Sequence, residues 1–302
     1  MKKEGFLYRM FNAVWVDGVS YLSCFSPTLV SKIRYRQNFG KKLNLKNPRG
    51  FNEKLMWLKL NTYNKNPLVV QCADKVRVRD YIKKRGCEEI LVDCLGVYEK
   101  PEDIPWHTLP QKFVLKCNHG AGYNIICTDK DKLDSVAETK RLSGWLKEKY
   151  WRTHAEIQYR YITPRIICET YLQPESGRVP DDYKVFCFDG KAEYIMLCRG
   201  RGSEREKFYF VDKNWNFLPW EINSVGDDTS GIKRPSCLKE LFAYAEKLSA
   251  GFPFVRIDFY VLGDRIYFGE MTFTPCGCLD PYYTEEGYKV LSRRLKLGVS
   301  DV

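Results

Sequence analysis

Residues 112–127, KFVLKCNHGAGYNIIC, place a lysine beside a glycine-rich turn that joins two apolar runs. Both runs carry the β-branched and aromatic residues that predict strands. Lys116 lies near the end of the first predicted strand, and the turn NHGAG at 118–122 follows it. Glycine permits positive φ angles and lets backbone N–H groups approach an anion such as phosphate. The pattern predicts a phosphate-binding hairpin whose order differs from the P-loop, and a plain surface turn is the alternative.

Two acids, Asp258 and Glu270, lie on consecutive predicted strands in FVRIDFYVLGDRIYFGEMTF. A two-residue turn would leave these acids on opposite faces of the sheet, whereas a three-residue loop at 263–265 places them opposite each other. The same register pairs Arg256 with Thr272 on that face. Opposed carboxylates repel unless a cation lies between them, and Mg²⁺ binds one or two carboxylates together with substrate phosphates. We predict the three-residue loop and a magnesium site, with a solvated acid pair as the alternative.

Two other predicted strands end in or carry charged residues. The apolar stretch RIICETYL brings Glu169 to the end of a strand, where a carboxylate and the backbone that follows suit an adenine amino group. Lys184 in DDYKVF adds a second cation that is carried by a strand and suits a phosphate. His119, within the glycine-rich turn, suits acid–base chemistry, a contact with phosphate or a capping contact in the loop, and the last two are favoured.

The elements that must position these residues mix helices and strands without strict βαβ alternation, which favours α+β lobes over one doubly wound sheet. Apolar periodicity predicts helices over 51–63, 73–85 and 131–150, and a further helix that Ser236 caps and Gly251 ends. Strand patterns are found at 90–92, 112–117, 123–127, 165–172, 183–188, 192–198, 254–262 and 266–273. The pair Asp189-Gly190 predicts a type I′ turn between two of these strands.

The composition is that of a globular protein, with 44% apolar and 29% charged residues among 302. No stretch approaches the 18 or more apolar residues of a spanning helix. Twelve cysteines occur without any Cys-x-x-Cys spacing, which favours free thiols in a reducing cytoplasm over disulfides or zinc. The single Cys-x-Cys, Cys276 and Cys278, supplies too few ligands for a zinc site.

The net charge of +11 is concentrated near the N-terminus, where residues 1–50 hold ten Lys or Arg against Glu4 and Asp17. Such a segment is either a solvated basic arm or a surface for an anionic partner. An anionic membrane surface and a lipid-linked substrate are the favoured partners, and the lack of nucleic-acid-binding signatures places nucleic acid last. The apolar residues with helical spacing, which suit an interfacial or a core helix, are Phe6, Leu7, Met10, Phe11, Val14 and Trp15.

Taken in order, these motifs resemble the TupA-like branch of the ATP-grasp superfamily, which is linked to bacterial surface-polysaccharide and teichuronopeptide biosynthesis. The resemblance runs from FNEKLMWLKL through ADK, LGVY, KFVLKCNHGAG, PRIICETYL, PDDYKVFCFDGK and FPFVRIDFY to YFGEMTF. It implies an α+β ATP-grasp fold, in which two lobes with antiparallel sheets hold the nucleotide, plus a basic helical N-terminal segment. The expected division is that segment at 1–63, an N-terminal lobe at 64–111, the small lobe at 112–172 and the metal-binding lobe at 173–302.

The resemblance also implies roles for individual residues. The implied nucleotide-binding residues are Lys75, Lys116, Asn118, Gly120, Gly122, Glu169, Tyr171, Leu172 and Lys184. The implied ligands of magnesium are Asp258, Glu270 and Thr272, and Thr272 replaces the asparagine of many ATP-grasp ligases with a weaker ligand. The implied catalytic residues are Arg256, which would stabilise the acyl phosphate or the tetrahedral intermediate, together with Lys184 and His119.

The resemblance implies an ATP-dependent carboxylate–amine ligase that uses ATP and two Mg²⁺ ions. Its expected substrates are a uronic-acid-type carboxylate on a sugar or glycan, and an amine or amino acid. Its expected location is the cytoplasm, or a peripheral position at the inner face of the membrane. A glycosyltransferase of polysaccharide biosynthesis is the alternative, since such enzymes also use acid pairs with a metal. A nucleotide-binding module without turnover is a third reading, which Lys116, Asp258 and Glu270 argue against.

Overall fold

The computed structural model of the chain describes residues 18–173 and 180–298. The predicted helix around Phe6 to Trp15 lies outside these ranges. The helices within them are α1 Pro27–Phe39, α2 Phe51–Asn61, α3 Pro67–Ala73, α4 Val78–Lys84, α5 Ser135–Lys147, α6 Leu238–Ser249 and α7 Glu285–Arg294. None of the helices in the described ranges combines the length and the apolar character needed to cross a bilayer.

A four-stranded antiparallel sheet, in the order β1-β4-β2-β3, forms the small lobe. Its strands are β1 Cys94–Tyr98, β2 Phe113–Cys117, β3 Asn124–Cys127 and β4 Ile166–Thr170. Alternate residues of β2 point to opposite faces, and helix α5 covers the face that carries Phe113 and Leu115. The other face carries Val114 and Lys116, which are partly exposed.

A six-stranded antiparallel sheet, in the order β10-β9-β5-β6-β7-β8, forms the large lobe. Its strands are β5 Asp182–Phe188, β6 Lys191–Arg199, β7 Lys207–Val211, β8 Phe217–Leu218, β9 Phe254–Leu262 and β10 Arg265–Thr272. The predicted type I′ turn between β5 and β6 is confirmed, since Asp189 and Gly190 have φ angles of +52° and +74°. The sequence analysis predicts no strand at β7 or β8. These two strands extend the sheet beyond the predicted hairpin of β5 and β6.

The helices before residue 92 pack on the large sheet instead of forming a separate lobe. Phe51 of α2 packs edge-on against Phe254, with ring centroids 5.5 Å apart, and the hydroxyl of Tyr63 donates to the Phe254 carbonyl at 2.7 Å. One continuous core joins these helices to the large sheet. α6 covers one face of the six-stranded sheet, and Phe51 of α2 packs against Phe186 on the other face. The division at residues 63 and 111 stays a prediction.

Three predicted elements differ from the structure in their bounds. The helix predicted from residue 73 begins at Val78, because the Asp74 carboxylate accepts hydrogen bonds from the two N–H groups at 76 and 77 and caps a turn there. Residues 90–92, predicted as a strand, do not form one: a 3-10 helix over Glu88–Ile90 ends there, and β1 begins at Cys94. Ser236 does not cap α6, since its hydroxyl bonds to Asp264 and residue 237 occupies the cap position.

The final hairpin has a shorter turn than the sequence predicts. A two-residue turn at 263–264 joins β9 to β10, because Arg265 pairs directly with Leu262. Gly263 supplies the positive φ, +59°, that this tight turn requires. Between the turn and Phe268, each residue of β10 therefore pairs with a residue of β9 that is one position away from the partner a three-residue loop would give it.

A β-bulge at Gly269 restores the predicted pairing further along the hairpin. The register shifts at this residue, so Glu270 lies opposite Asp258. The next pair on the same face is Thr272 and Arg256. A bulge adds one residue to one strand and commonly contains glycine. The two acids share a face as predicted, although the cause is a bulge and not a longer loop.

This bulge gives a first prediction, for Gly269→Ala. A Cβ at this position would lie 2.9 Å from the backbone oxygen of Asp258. Because the neighbour is backbone, the strands must shift, and we expect the free energy of unfolding to fall by about 1–3 kcal/mol in urea titrations. Gly144→Ala is the matched control, since its Cβ would meet open space within α5 and should be neutral or stabilising. Wild-type stability of Gly269→Ala would contradict the assigned bulge.

Candidate active site between the two sheets

One face of the large sheet gathers charged side chains from three neighbouring strands. β5 contributes Lys184, β9 contributes Arg256 and Asp258, and β10 contributes Glu270 and Thr272. Lys184 lies directly opposite Asp258 on the adjacent strand, so one antiparallel register brings the cation and the acid together. The central strands β5 and β9 bury most of this group, which keeps the charges fixed in position.

Asp258 is held by two cations at once. Arg256 donates to both of its carboxylate oxygens at 2.7 Å, and Lys184 donates to Oδ2 at 2.8 Å. Burial acts to raise the pKa of Asp258, but the charges of Arg256 and Lys184 outweigh it, and the net effect lowers that pKa. Asp258 is therefore ionised at neutral pH and holds the guanidinium in a fixed orientation.

Glu270 is the most accessible acid of this group, with 38% of its side chain exposed. The hydroxyl of Thr272 donates to its Oε1 at 3.2 Å, and Arg256 donates to that hydroxyl at 3.3 Å. Arg256 Nη2 also lies 3.7 Å from Glu270 Oε1. Arg256 thus lies between the two acids and offsets the repulsion that their direct pairing would cause.

The carboxylate oxygens of this face fit a magnesium ion whose remaining ligands come from substrate phosphates. No group of three or more His, Cys, Asp or Glu side chains in the described part of the chain could hold a metal by itself. Magnesium needs only one or two carboxylates when substrate phosphates complete its shell. Glu270 has an accessible carboxylate for this role. Asp258 would also bind the ion if one of its hydrogen bonds from Arg256 or Lys184 were replaced by the bond to the metal.

Two lysines approach the same region, Lys116 from β2 of the small lobe and Lys75 from the segment between α3 and α4. Lys116 Nζ lies 2.7 Å from Glu169 Oε2, and Lys75 donates to the backbone carbonyl of Gly120. Burial lowers the pKa of Lys75; the charge of Glu270 from the large lobe opposes this, and that of Lys116 adds to it. Lys75 is thus within electrostatic reach of both Lys116 of the small lobe and Glu270 of the large sheet.

Sequence reasoning missed three charged residues of this network. Arg79 of α4 lies 3.3 Å from Glu169 Oε1, so Glu169 pairs with both Arg79 and Lys116. Arg201 and Lys184 both pair with Asp182, at the start of β5, and the Arg201 distance is 2.6 Å. The only sequence signal for Asp182 is its spacing of two from Lys184, which puts both on one strand face.

The two glycines of the glycine-rich turn serve different purposes. Gly122 has a positive φ of +81°, as predicted. Gly120 does not, and is needed because a Cβ there would lie 2.7 Å from the ring of Tyr150 and 2.8 Å from that of Tyr123. The turn is therefore packed closely against aromatic rings, which restricts the positions its backbone N–H groups adopt.

Asn118 and His119 hold the turn in place. The Asn118 amide donates to Asp74 at 2.8 Å and to the Thr163 carbonyl at 3.0 Å, and its oxygen accepts from the Arg165 N–H. This side chain is completely buried and its hydrogen bonds support the turn, while a contact of Asn118 with nucleotide stays a prediction. The ring of His119 is also buried, and its Nε2 lies 3.1 Å from the Trp145 carbonyl.

The position of His119 favours the capping role over the predicted acid–base role. Burial lowers the pKa of His119, more than its bond to the Trp145 carbonyl raises it, so the imidazole is neutral at pH 7. A neutral ring that contacts a backbone carbonyl and packs 5.6 Å from the Tyr123 ring stabilises the turn.

A cleft suited to adenine and ribose opens between the two lobes beside Lys116. The small lobe lines it with apolar Val92, Val114 and Ile126, and with Tyr171 and Leu172 at the end of β4. The large lobe contributes Arg201 and Tyr260 on the opposite side. Glu169 and the backbone after it lie along this cleft, where the sequence places the adenine contacts.

A larger cavity, of about 560 Å³, lies elsewhere, between α6 and the final hairpin. Its charged lining residues are Glu89, Glu240, Asp264 and Arg265. Three carboxylates against one guanidinium repel a triphosphate, which carries several negative charges. The smaller cleft between the sheets therefore remains the candidate nucleotide site, despite its size.

A buried polar cluster behind the acid pair connects the loop after β10 to the rest of the molecule. Thr274 donates to Glu156 Oε1 at 2.6 Å and accepts from Gln158 Nε2 at 3.0 Å. The buried ammonium of Lys59 donates to the His154 carbonyl at 2.7 Å. These bonds fix the position of residues 275–278, which follow the strand that carries the acids, and no sequence signal predicted them.

His154 in this cluster gives a prediction for pH dependence. Burial, followed by the charges of Lys59 and Arg34, lowers the pKa of His154 to about 4. An unfolded histidine has a pKa near 6.5, so the unfolded chain binds the additional proton between these values. Stability should therefore be lost as pH falls from about 6.5 to about 4, by up to about 3 kcal/mol from this group.

The test is urea unfolding across that pH range for His154→Gln. This variant should show a flatter loss of stability on acidification than the wild type. His107→Gln is the matched control, since His107 is exposed and should leave the profile unchanged. A His154→Gln profile parallel to the wild type would show that His154 does not contribute to the pH dependence.

Two antiparallel sheets face one cleft, with Lys116 on one and a cation–carboxylate face on the other, and this arrangement is typical of the ATP-grasp class. The family model of the TupA-like ATPgrasp proteins matches residues 53–295, about four-fifths of the chain. The chain belongs to this family. Both the predicted resemblance and the predicted fold class are thereby confirmed.

Several solved structures are similar to the chain at low identity. The D-alanine–D-alanine ligase of Bacillus anthracis, complexed with ATP, is 20% identical with a TM-score of 0.40, over 67% of this chain and 54% of that one. The ADP complex of PurK, an N5-carboxyaminoimidazole ribonucleotide synthetase, is 12% identical with a TM-score of 0.45, over 79% of this chain and 52% of that one. The chain thus spans about half the length of these two structures. No curated protein matches the sequence.

Proposed function

We propose that the chain is an ATP-dependent ligase that joins a carboxylate to an amine through an acyl phosphate. The proposal is carried by one observation: two lysines face a cluster of a guanidinium and two carboxylates across one cleft. The lysines are Lys75 and Lys116, and the cluster is Arg256, Asp258 and Glu270. Such a set positions phosphates and neutralises charge on them. Family membership supports the same class of reaction.

In the first step, a carboxylate oxygen of the substrate attacks the γ-phosphorus of ATP, and the bond to the bridging oxygen breaks to release ADP. Lys116 holds the phosphates from the small lobe, Lys75 from the segment between α3 and α4, and Lys184 from the large sheet. Magnesium held by Glu270 and Asp258 would add positive charge at the phosphate oxygens. The carboxylate is thereby converted into an acyl phosphate, whose leaving group is phosphate.

In the second step, the amine nitrogen attacks the carbonyl carbon, the phosphate departs with the electron pair of the C–O bond, and the amine loses its proton. Negative charge develops on the carbonyl oxygen of the tetrahedral intermediate. Arg256 is oriented by both oxygens of Asp258 and provides the positive charge for that oxygen and for the departing phosphate. No protein nucleophile is needed for either step.

The substrate carboxylate that we propose is a uronic acid on a sugar or glycan of a bacterial surface polysaccharide, and the amine is an amino acid or a related compound. The setting of the TupA-like family and the net charge of +11, which favours anionic substrates, support this class. A glycosyltransferase has no observation in its favour here, because the face that carries the acids belongs to an ATP-grasp cleft.

We propose a cytoplasmic location, with a peripheral position at the inner face of the membrane when the substrate is lipid-linked. All twelve cysteines lie in the described ranges as free thiols, most of them buried, as in proteins of reducing compartments. The basic N-terminal region is the part of the chain suited to an anionic surface.

The proposed reaction is tested by incubating the full chain with ATP, Mg²⁺ and a panel of uronic acids, with hydroxylamine in place of the amine. An acyl phosphate is captured as a hydroxamate, so we expect hydroxamate and ADP in equal amounts, and neither without the carboxylate. Sugar-nucleotide consumption without ATP would instead identify a glycosyltransferase and overturn the proposal.

A further inference from the structure

Four large apolar side chains are exposed where the described chain begins, and we refer to them as the apolar cluster: Tyr21, Leu22, Phe25 and Leu29. Phe25 is 86% exposed, an unusual state for a phenylalanine in a globular protein. Phe25 lies just before the Ser26 cap of α1, and Leu29 is one turn further on, so both occupy the start of one helix face. Clustered exposed apolar residues mark binding surfaces, whereas isolated ones do not.

Positive charge continues the same helix face. Lys32 and Arg36 follow Leu29 at spacings of three and seven residues, and both are exposed. Helix α1 then ends at Gly40, with φ +67°, and exposed Lys41 and Lys42 come next. Residues 18–52 hold seven Lys or Arg and no Asp or Glu, and the next acid, Glu53, lies at the far end of the segment, where it accepts from the N–H groups of residues 44, 49 and 50.

Two hydrogen bonds connect the segment of α1 and α2 to the loop after β10, the strand that carries Glu270. The Asn38 amide at the end of α1 donates to the Leu279 carbonyl at 2.7 Å. The Asn52 amide in α2 donates to the Asp280 carbonyl at 2.8 Å. Both carbonyls lie shortly after β10, the strand that carries Glu270. A partner bound by α1 would therefore be held at a fixed distance from the reacting centre.

Building on the peripheral location proposed above, we propose that the apolar cluster and the cations of α1 dock the enzyme on an anionic lipid bilayer. Apolar side chains at one end of the helix would enter the boundary between headgroups and acyl chains, while Lys32 and Arg36 pair with lipid phosphates. A second copy of the chain is a poorer occupant, because a symmetric interface would bring two sets of the same seven cations together. Residues 18–42 thus form a lipid-facing surface beside the active site.

The experiment is vesicle co-sedimentation of the full chain with phosphatidylcholine alone and with 30% phosphatidylglycerol. We expect binding to the anionic vesicles only, and weaker binding in 300 mM than in 50 mM salt. The variants Phe25→Ser/Leu29→Ser and Lys32→Gln/Arg36→Gln should each weaken that binding by about tenfold or more. Binding of ADP by calorimetry should stay at the wild-type level, which shows that the variants are folded.

Two matched variants control for general changes of surface charge and polarity. Lys233→Gln/Arg234→Gln removes two exposed cations before α6, on the opposite side of the large sheet, and Val136→Ser removes an apolar side chain that is 79% exposed. Both controls should bind vesicles as the wild type does. Equal binding by the α1 variants, or loss of binding in the controls to the same degree, would overturn the proposal. Self-association that Phe25→Ser abolishes, without any vesicle binding, would assign the surface to a second copy and would also overturn it.

Discussion

Replacing Arg256 with alanine should lower kcat by about 10²–10³-fold, as expected when a donor to a developing oxyanion is lost. The affinity for ADP should change little, because the guanidinium acts on the carbonyl oxygen and the departing phosphate and not on adenine or ribose. The measurement compares steady-state turnover with ADP binding by calorimetry, using the carboxylate that the hydroxamate assay identifies. A large loss in kcat with retained ADP affinity would place Arg256 at the reacting centre.

Arg256 also neutralises Asp258, so a loss of activity through misfolding has to be separated from a loss of chemistry. Arg256→Lys is the matched variant, since it keeps the charge but loses the two parallel hydrogen bonds to Asp258. We expect an intermediate kcat and near-normal stability in urea for this variant. A kcat within about twofold of the wild type for the folded alanine variant would contradict the role that we assign.

The second large effect is expected for nucleotide affinity in Lys116→Ala. A charge-assisted contact to phosphate is worth about 1.5–3 kcal/mol, so affinity for ATP should fall roughly ten- to a hundredfold. Glu169 would keep Arg79 as its partner, so the loss of Lys116 does not leave that carboxylate without a counter-charge. Calorimetric titration of ATP in the presence of Mg²⁺ gives the affinity directly.

Lys112→Ala is the control for that measurement, because Lys112 is an exposed lysine near the start of the same hairpin and bonds to Gln173. It removes the same charge from the small lobe outside the cleft, and ATP affinity should be unchanged. Lys116→Arg should retain more affinity than the alanine variant. Equal ATP affinities for Lys116→Ala and Lys112→Ala would remove the phosphate role from Lys116.

The sequence predicts the strand-borne part of the site because strand geometry is regular. Side chains alternate with a period of two, so Lys116, Arg256 and Asp258 could be assigned to faces from spacing alone. The pairing of Asp258 with Glu270 was predicted with the wrong loop length. The bulge at Gly269 depends on the backbone of both strands, and no local pattern distinguishes it from a glycine that simply lies in a strand.

Residues far apart in sequence account for what could not be predicted. The contact of Arg79 with Glu169 spans 90 positions, and that of Thr274 with Glu156 spans 118. Asn118 has the same neighbours in sequence whether it binds phosphate or holds a turn, and only the tertiary structure shows that its amide is fully occupied. The packing of the helices before residue 92 on the large sheet likewise depends on which sheet face is left uncovered.

The central claim is that ATP binds between the two sheets with its phosphates at Lys116 and at the face that carries Asp258 and Glu270. A crystal structure of the full chain with ADP and Mg²⁺ tests it most directly. We expect adenine beside the backbone of Tyr171 and Leu172, and carboxylate oxygens of the two acids about 2.0–2.1 Å from the ion where they bind it directly. Nucleotide bound in the larger cavity at α6, or an ion that neither acid approaches, would contradict the account.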